Sequence, residues 1–141
     1  MRWRTAFAVL AIVALVSAAT SAAAPQSDAQ VKAAITRGIS AVDHNKGKAL
    51  GRAVARARVS LSHASAVSAK AKSAKALALR GFAKASLAAV QQDKAEAEMT
   101  RMQYSGANAA TALATKDMAA AVVLLKKAAR LLGILTAVKA A

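Results

Sequence analysis

A single long stretch, residues 44–92, limits what this chain can fold into more than any other feature. It contains ten Lys or Arg residues and no Asp or Glu, and alanine fills most of the space between the charges. Alanine has the highest helix propensity because it loses no side-chain entropy in a helix, but it buries little apolar surface. The stretch therefore predicts helices that form readily and that have only small side chains with which to contact one another.

The 141-residue chain is long enough for one domain, and residues 1–23 have the three parts of a Sec-type signal peptide. Arg2 and Arg4 form a basic start, residues 6–16 are apolar, and small residues lead to a cleavage site after Ala23. The apolar segment is shorter than the ~20 residues of a membrane-spanning helix, which favours cleavage over an uncleaved anchor. We therefore expect a secreted or periplasmic protein with a single basic, alanine-rich helical domain over residues 24–141.

Apolar residues at helical spacing define two helices at the start of this domain. The first begins at Ser27, which fits a capping box with Gln30, and it ends within residues 43–47. Its apolar stripe consists of Val31, Ile35, Ile39 and Val42. The second helix begins near Lys48, and its stripe consists of Leu50, Val54 and Leu61.

Residues 62–76 interrupt this pattern. The stripe of the second helix, continued at helical spacing, meets Ser68 and then two lysines, and Val67 is the only large apolar residue of the segment. We therefore predict a helix-prone segment without a core face, exposed or mobile. The sequence Leu79-Arg80-Gly81-Phe82 that follows is typical of a helix C-cap, although a glycine inside one longer helix would look the same.

The last part of the chain combines an acidic patch with an apolar helix. Asp93, Glu96 and Glu98 are half of the six acids, and they can face the basic stretch in an antiparallel bundle, while Glu98 can also pair with Arg101. A loop is predicted at residues 105–108, followed by a helix over residues 109–138 that suits a bundle core or, alternatively, a membrane surface. The basic arc of this helix consists of Lys116, Lys126, Lys127 and Arg130, and its apolar side of Met118, Val122, Leu124, Leu125, Leu131, Leu132, Leu135 and Val138.

These elements predict an all-α fold. After cleavage of the signal peptide, three to four alanine-rich helices would form a loose antiparallel bundle or an extended hairpin.

Residue patterns that perform catalysis or bind metals are scarce. The chain has no Cys, and its two histidines, His44 and His63, have no carboxylate at metal-ligand spacing. Residues 38–42 lack the second glycine of a serine nucleophile elbow, and the glycines near residue 50 do not form a phosphate-binding loop. We therefore predict a protein that is not an enzyme and that has no catalytic residue, metal or cofactor.

The excess of positive charge indicates the class of partner. Without Arg2 and Arg4 the chain has 19 basic and 6 acidic residues, a net charge of +13, which favours an anionic membrane or an envelope or extracellular glycan polymer as the partner. On one continuous helix the charges of residues 44–92 would surround the whole barrel, so we expect a diffuse contact. The candidate polyanion-binding residues are Lys48, Arg52, Arg56, Arg58, Lys70, Lys72, Lys75, Arg80, Lys84, Lys126, Lys127 and Arg130.

Three other interpretations stay open. The protein could be a structural or lipid-carrying bundle that acts through its apolar helix faces. Residues 68–76 resemble the tails of linker histones in composition, which implies non-sequence-specific binding of nucleic acid in vitro, although only Phe82 and Tyr104 could stack on bases. The charges could also serve solubility alone. The sequence does not indicate a protein partner or an oligomeric state.

Overall fold

The computed structural model describes residues 23–134, with side chains from Asp28 onward, and it confirms the predicted all-α fold. The described residues form four helices and no strand, and 88% of them are helical. The bounds are α1 Ala23–His44, α2 Gly47–His63, α3 Ala69–Thr100 and α4 Tyr104–Leu131. The predicted signal peptide lies outside the described residues, apart from Ala23 at its end.

Each helix runs antiparallel to the one before it. The most extensive contact joins α3 to α4, followed by α2 with α3 and α1 with α2, whereas no Cα atom of α2 lies within 8 Å of one of α4. The backbone amide of Gly47, at the start of α2, donates to Oε1 of Gln92 at 2.6 Å. Eight more residues of α3 follow Gln92, so the α3–α4 hairpin extends beyond the turn between α1 and α2 by up to about 12 Å.

The core consists of a few large side chains among many alanines. The two apolar stripes predicted for α1 and α2 are confirmed, because every residue of both stripes is buried. The largest fully buried side chains are Phe82, Ile35, Leu50, Leu61, Leu125, Val31 and Val54. On α3, by contrast, the buried face is mainly alanine and includes Ala71, Ala74, Ala78, Ala85 and Ala88.

Two glycines inside helices allow the helices to pack compactly. A Cβ atom placed on Gly38 of α1 would collide with the ring of Phe82 on α3. A Cβ placed on Gly81 of α3 would lie 2.9 Å from Cγ of Leu125 and 3.3 Å from the carbonyl oxygen of Ala121, both on α4. Gly81 is therefore a contact point inside one long helix, and the predicted C-cap at residues 79–82 is wrong.

Residues 62–76 are not one segment. Helix α2 ends at His63, residues 64–68 connect it to α3, and the new helix starts with a new rotational phase. Its alanines at 71 and 74 are fully buried, and Ala64 in the connection is also buried, whereas Val67 is 52% exposed. The predicted absence of a core face is wrong, because the α2 stripe was continued across the break and therefore assigned the buried and exposed sides of α3 incorrectly. The mobility of residues 62–76 stays a prediction.

The predicted helix ends also need correction. Helix α1 begins at Ala23, four residues before the predicted cap Ser27. Helix α4 begins at Tyr104, inside the region in which we placed a loop at residues 105–108, and it ends at Leu131 instead of Val138. Two residues of its predicted apolar side, Leu135 and Val138, lie outside the described residues.

The turn between α3 and α4 lies at residues 101–103 and is a Schellman motif with methionine at the left-handed position. Met102 has φ +58°, its amide donates to the carbonyl of Met99 at 3.0 Å, and the amide of Gln103 donates to that of Glu98 at 2.8 Å. Helix α4 ends in the same motif with Gly133 at φ +64°. Thus the motif at the end of α4 has glycine at the left-handed position, as is usual, and the motif at the end of α3 does not.

Candidate polyanion-binding surface

Most of the candidate basic residues are at the surface. Ten of the twelve are exposed, and Lys75 and Lys126 are half-buried. They do not form one patch, because α2 and α4 are not neighbouring helices of the bundle. The structure therefore divides the candidates into an α2 group, an α3 group that extends from Lys70 to Lys84, and a group at the end of α4.

The α2 group has the most regular arrangement of the three. Lys48, Arg52 and Arg56 follow one another at four-residue intervals, so they fall within an arc of about 80° on the side of α2 away from its buried stripe. All three are exposed, and α2 contains no acidic residue. Arg58 is also exposed but lies outside this arc. We call Lys48, Arg52 and Arg56 the α2 basic face.

One further cation lies beside α2, next to Ser60 and His63, and was missed by sequence reasoning. A small groove between α1 and α2 is lined by Arg37 and Gln30 of α1 and by Ser60 and His63 of α2. Arg37 thus adds an exposed charge to the outer side of the α1–α2 hairpin. Its place could be inferred only from the pairing of the two helices, which the apolar stripes alone do not determine.

Two of the candidates have partners within the protein. The Nζ atom of Lys75 donates to the carbonyl oxygens of Ser62 at 3.0 Å and Ala64 at 2.7 Å, where it stabilises the C-terminal end of α2. Lys84 Nζ lies 3.4 Å from Oδ1 of Asp117 on α4. Lys75 is therefore a structural residue in the first place, and the charge of Lys84 is partly compensated.

The acidic patch does approach the basic stretch, but without the predicted pairs. Asp93 and Glu96 line an open groove together with Lys46 and Lys48 at the start of α2. None of these four forms an ion pair within the part of the chain that the structure describes. Glu98 lies 3.8 Å from Lys94, one turn earlier, instead of pairing with Arg101.

A second set of cations meets at the opposite end of the bundle. Lys32 of α1, Lys70 at the start of α3 and Arg130 in the last turn of α4 line one open groove of about 470 Å³, together with Asp28. Two of these cations, Lys70 and Arg130, were candidates from the sequence, and Lys32 was not. The groove forms because the chain brings the beginning of α1, the beginning of α3 and the end of α4 to the same end of the molecule.

Asp28 has a structural task in that groove. Its Oδ1 accepts from the backbone amides of Val67 at 3.1 Å and Ser68 at 3.5 Å, which ties α1 to the start of α3. Hydrogen bonding from the Ser68 side chain, together with these amides and the charge of Lys32, outweighs desolvation and holds the pKa of Asp28 below its ordinary value. The ionised carboxylate of Asp28 thus caps the start of α3. The capping box predicted at Ser27 did not include this role.

The apolar helix α4 packs mainly against α3, and its buried residues include Ala110, Ala121, Val122, Leu125 and Ala128. Among the described helices it is also the one that is long and apolar enough to cross a membrane by those two measures alone, a test that core helices of soluble proteins pass as well. Of its basic side chains, Lys127 and Arg130 are exposed and Lys126 is half-buried. Within residues 23–134 no three His, Asp or Glu side chains are grouped as metal ligands would be.

The comparisons with known proteins add no relative to this picture: no family model matches the chain, and no curated protein or solved structure is significantly similar to it.

Proposed function

We propose that this protein is an exported, non-enzymatic helical protein that associates electrostatically with a polyanionic surface, either an anionic membrane or an envelope or extracellular glycan polymer. The observation that supports this most directly is the α2 basic face, with three exposed cations on one side of a helix that has no acid. The net charge of +13 that remains without Arg2 and Arg4 adds long-range attraction toward any such surface.

The α2 basic face suits a repeating charged surface better than a single small ligand. Lys48 and Arg56 are eight residues apart, so the face extends about 12 Å along the helix and has no concave shape of its own. A Lys or Arg near an anionic membrane contributes about 1 kcal/mol, so three of them correspond to roughly 100-fold in affinity at low salt. Asp93 and Glu96 lie near Lys48 and reduce its share.

Vesicle binding provides the test. We expect the mature chain to bind vesicles that contain phosphatidylglycerol and not vesicles of phosphatidylcholine alone. The affinity should fall steeply from about 50 mM to about 500 mM salt, because the Debye length shortens over this range. Replacing Lys48, Arg52 and Arg56 with Gln should weaken binding at low salt by roughly the 100-fold given by three membrane-proximal charges. Sedimentation of the vesicles measures all of these affinities.

A matched control removes the same number of charges elsewhere. Lys94 and Arg101 are exposed toward the tip of the α3–α4 hairpin and Lys116 is exposed further along α4, and the replacement of all three with Gln should weaken binding much less. Equal losses in the two triple variants would show that net charge, and not the α2 basic face, attracts the surface. Binding that is unchanged at high salt would contradict the electrostatic proposal and favour a lipid carrier. A strong preference for duplex DNA over both vesicles and sulfated glycan would favour the nucleic-acid alternative.

A further inference from the structure

The groove at the end of the bundle differs from the α2 basic face, because cations from three separate helices converge on it. Lys32, Lys70 and Arg130 all line it and are all exposed, and none of them forms an ion pair with an acid of the described residues. Lysine and arginine that converge from different elements on one concavity can contact the same anion from several directions.

The net positive charge of the groove lining is equal in magnitude to the charge of a dianion. The one acid in its lining is Asp28, whose carboxylate is already engaged by the backbone amides of Val67 and Ser68. Three cations and this one carboxylate leave a net charge of +2 on the lining. A phosphomonoester carries about −1.5 to −2 near neutral pH, whereas a phosphodiester has one charge.

Backbone groups at the groove add donors without adding competing acceptors. Lys70 is the second residue of α3, and the amides of Ala69 and Lys70 have no acceptor among the described residues, so the positive end of the helix faces this region. At the other side, the amides of Gly133 and Ile134 already bond the carbonyls of Arg130 and Ala129. The last turn of α4 therefore presents few free carbonyls to an anion.

An apolar edge adjoins the charges. Leu131, which is 38% exposed, and the half-buried Leu132 line the same groove as Arg130. A free phosphate would leave this edge unused, whereas a lipid would place its phosphate on the cations and its glycerol and acyl carbons beside the leucines.

We propose that the groove formed by Lys32, Lys70 and Arg130 binds a phosphomonoester group, and that the leucine edge allows this group to be the head group of a lipid. This inference rests on the proposed association with anionic surfaces and adds to it a specific phosphate site away from the α2 basic face. The ligand chemistry is a dianionic phosphate on a carbon skeleton, which is presented by a phosphatidate membrane or by a soluble phosphate ester.

The site can be tested by amide NMR of the mature chain titrated with inorganic phosphate and, separately, with dimethyl phosphate as a monoanionic diester. We expect inorganic phosphate to shift the amides of Lys32, Lys70 and Gly133, and the diester to bind at least about tenfold more weakly. Vesicles of phosphatidate and of phosphatidylglycerol, matched in surface charge, then distinguish the sources. A preference for phosphatidate assigns the site to lipid, and equal vesicle affinity together with the phosphate shifts assigns it to a soluble phosphate ester.

Two double variants remove the same number of charges, one pair inside the groove and one pair outside it. Lys70→Gln with Arg130→Gln should abolish the phosphate shifts and the phosphatidate preference, whereas Lys72→Gln with Lys127→Gln removes the same charge from the same helices outside the groove and should leave both. Shifts spread over the whole basic surface, or equal losses in the two variants, would overturn the inference. If the Gln variant of the α2 basic face loses phosphatidylglycerol binding while the groove variant behaves as wild type, the proposed function stands and the phosphate site fails. If instead the α2 variant keeps phosphatidylglycerol binding while the groove variant loses the phosphate shifts, the phosphate site stands and the role proposed for the α2 basic face fails.

Discussion

Gly38 and Gly51 both lie inside helices, but their surroundings are opposite. A Cβ atom on Gly38 would collide with the ring of Phe82, which is fully buried, whereas a Cβ on Gly51 would lie 3.7 Å from Cβ of Ala89, an ordinary contact. The same substitution should therefore have opposite signs at the two positions.

We expect Gly38→Ala to destabilise the protein, because forcing a methyl group into a packed core costs about 1–3 kcal/mol, which exceeds the gain in helix propensity. Gly51→Ala should instead stabilise it by about 0.5–1 kcal/mol, since only the gain in helix propensity remains. Urea unfolding followed by far-UV circular dichroism measures both. Stabilisation by both substitutions would show that Phe82 can move and that α1 is not held against α3 as described.

Single residues also explain why the turn between α3 and α4 was placed too late. The left-handed position of this turn is occupied by Met102, which gives no signal in the sequence, while the nearby Gly106 suggested a loop. Gly106 lies in the first turn of α4, where the carboxylate of Glu98 covers it and leaves no space for a Cβ atom. Glycine thus marks close contacts in this chain as well as turns, and sequence alone does not separate the two uses.

At the scale of helices, the C-terminal end of α2 depends on a lysine from α3. Lys75→Met removes both hydrogen bonds to the carbonyls of Ser62 and Ala64, and we expect a loss of about 1 kcal/mol in the free energy of unfolding. Lys72→Met removes an equal charge from an exposed position three residues away and should change it by less than about 0.5 kcal/mol. Thermal unfolding compares the two variants, and equal stability would mean that Lys75 does not cap α2.

The joint between α1 and α3 should make stability depend on pH. The pKa of Asp28 is lower in the folded chain than in the unfolded one, so its contribution is present above the unfolded pKa of about 3.9 and is lost as the pH falls through the folded value. Asp28→Asn should therefore be less stable than wild type at neutral pH, and the difference should shrink below about pH 4. Unfolding measured across this range tests it, and a constant difference at every pH would exclude the carboxylate as its cause.

The same scale shows what the sequence could predict of the candidate surface. The apolar stripe of α2 could be read from Leu50, Val54 and Leu61 because large side chains identify a face without ambiguity. On α3 the buried and exposed positions are often both alanine, as at Ala74 and Ala76, so spacing alone could not assign its faces. Treating residues 44–92 as one helix then distributed the charges over all sides, whereas the break at residues 64–68 leaves Lys48, Arg52 and Arg56 together.

For the whole molecule, charge repulsion should oppose folding. The chain has a net charge of +15, and its described residues form only two ion pairs, each between an exposed lysine and a largely buried carboxylate. Salt therefore screens more repulsion than attraction, and we expect the melting temperature to rise between about 10 mM and about 300 mM salt. The Gln variant of the α2 basic face should show a smaller rise. A melting temperature that falls with salt would mean that attractive contacts outweigh the repulsion.

The alanine face of α3 has a consequence for how this sequence can change. In most protein cores a substitution tends to remove atoms and leave a cavity, but Ala71, Ala74, Ala78 and Ala85 have almost nothing to lose. Nearly every replacement at these positions adds volume between helices that already approach closely. Evolution of this chain should therefore preserve smallness more strictly than hydrophobicity, so that serine or glycine is accepted at these positions before leucine.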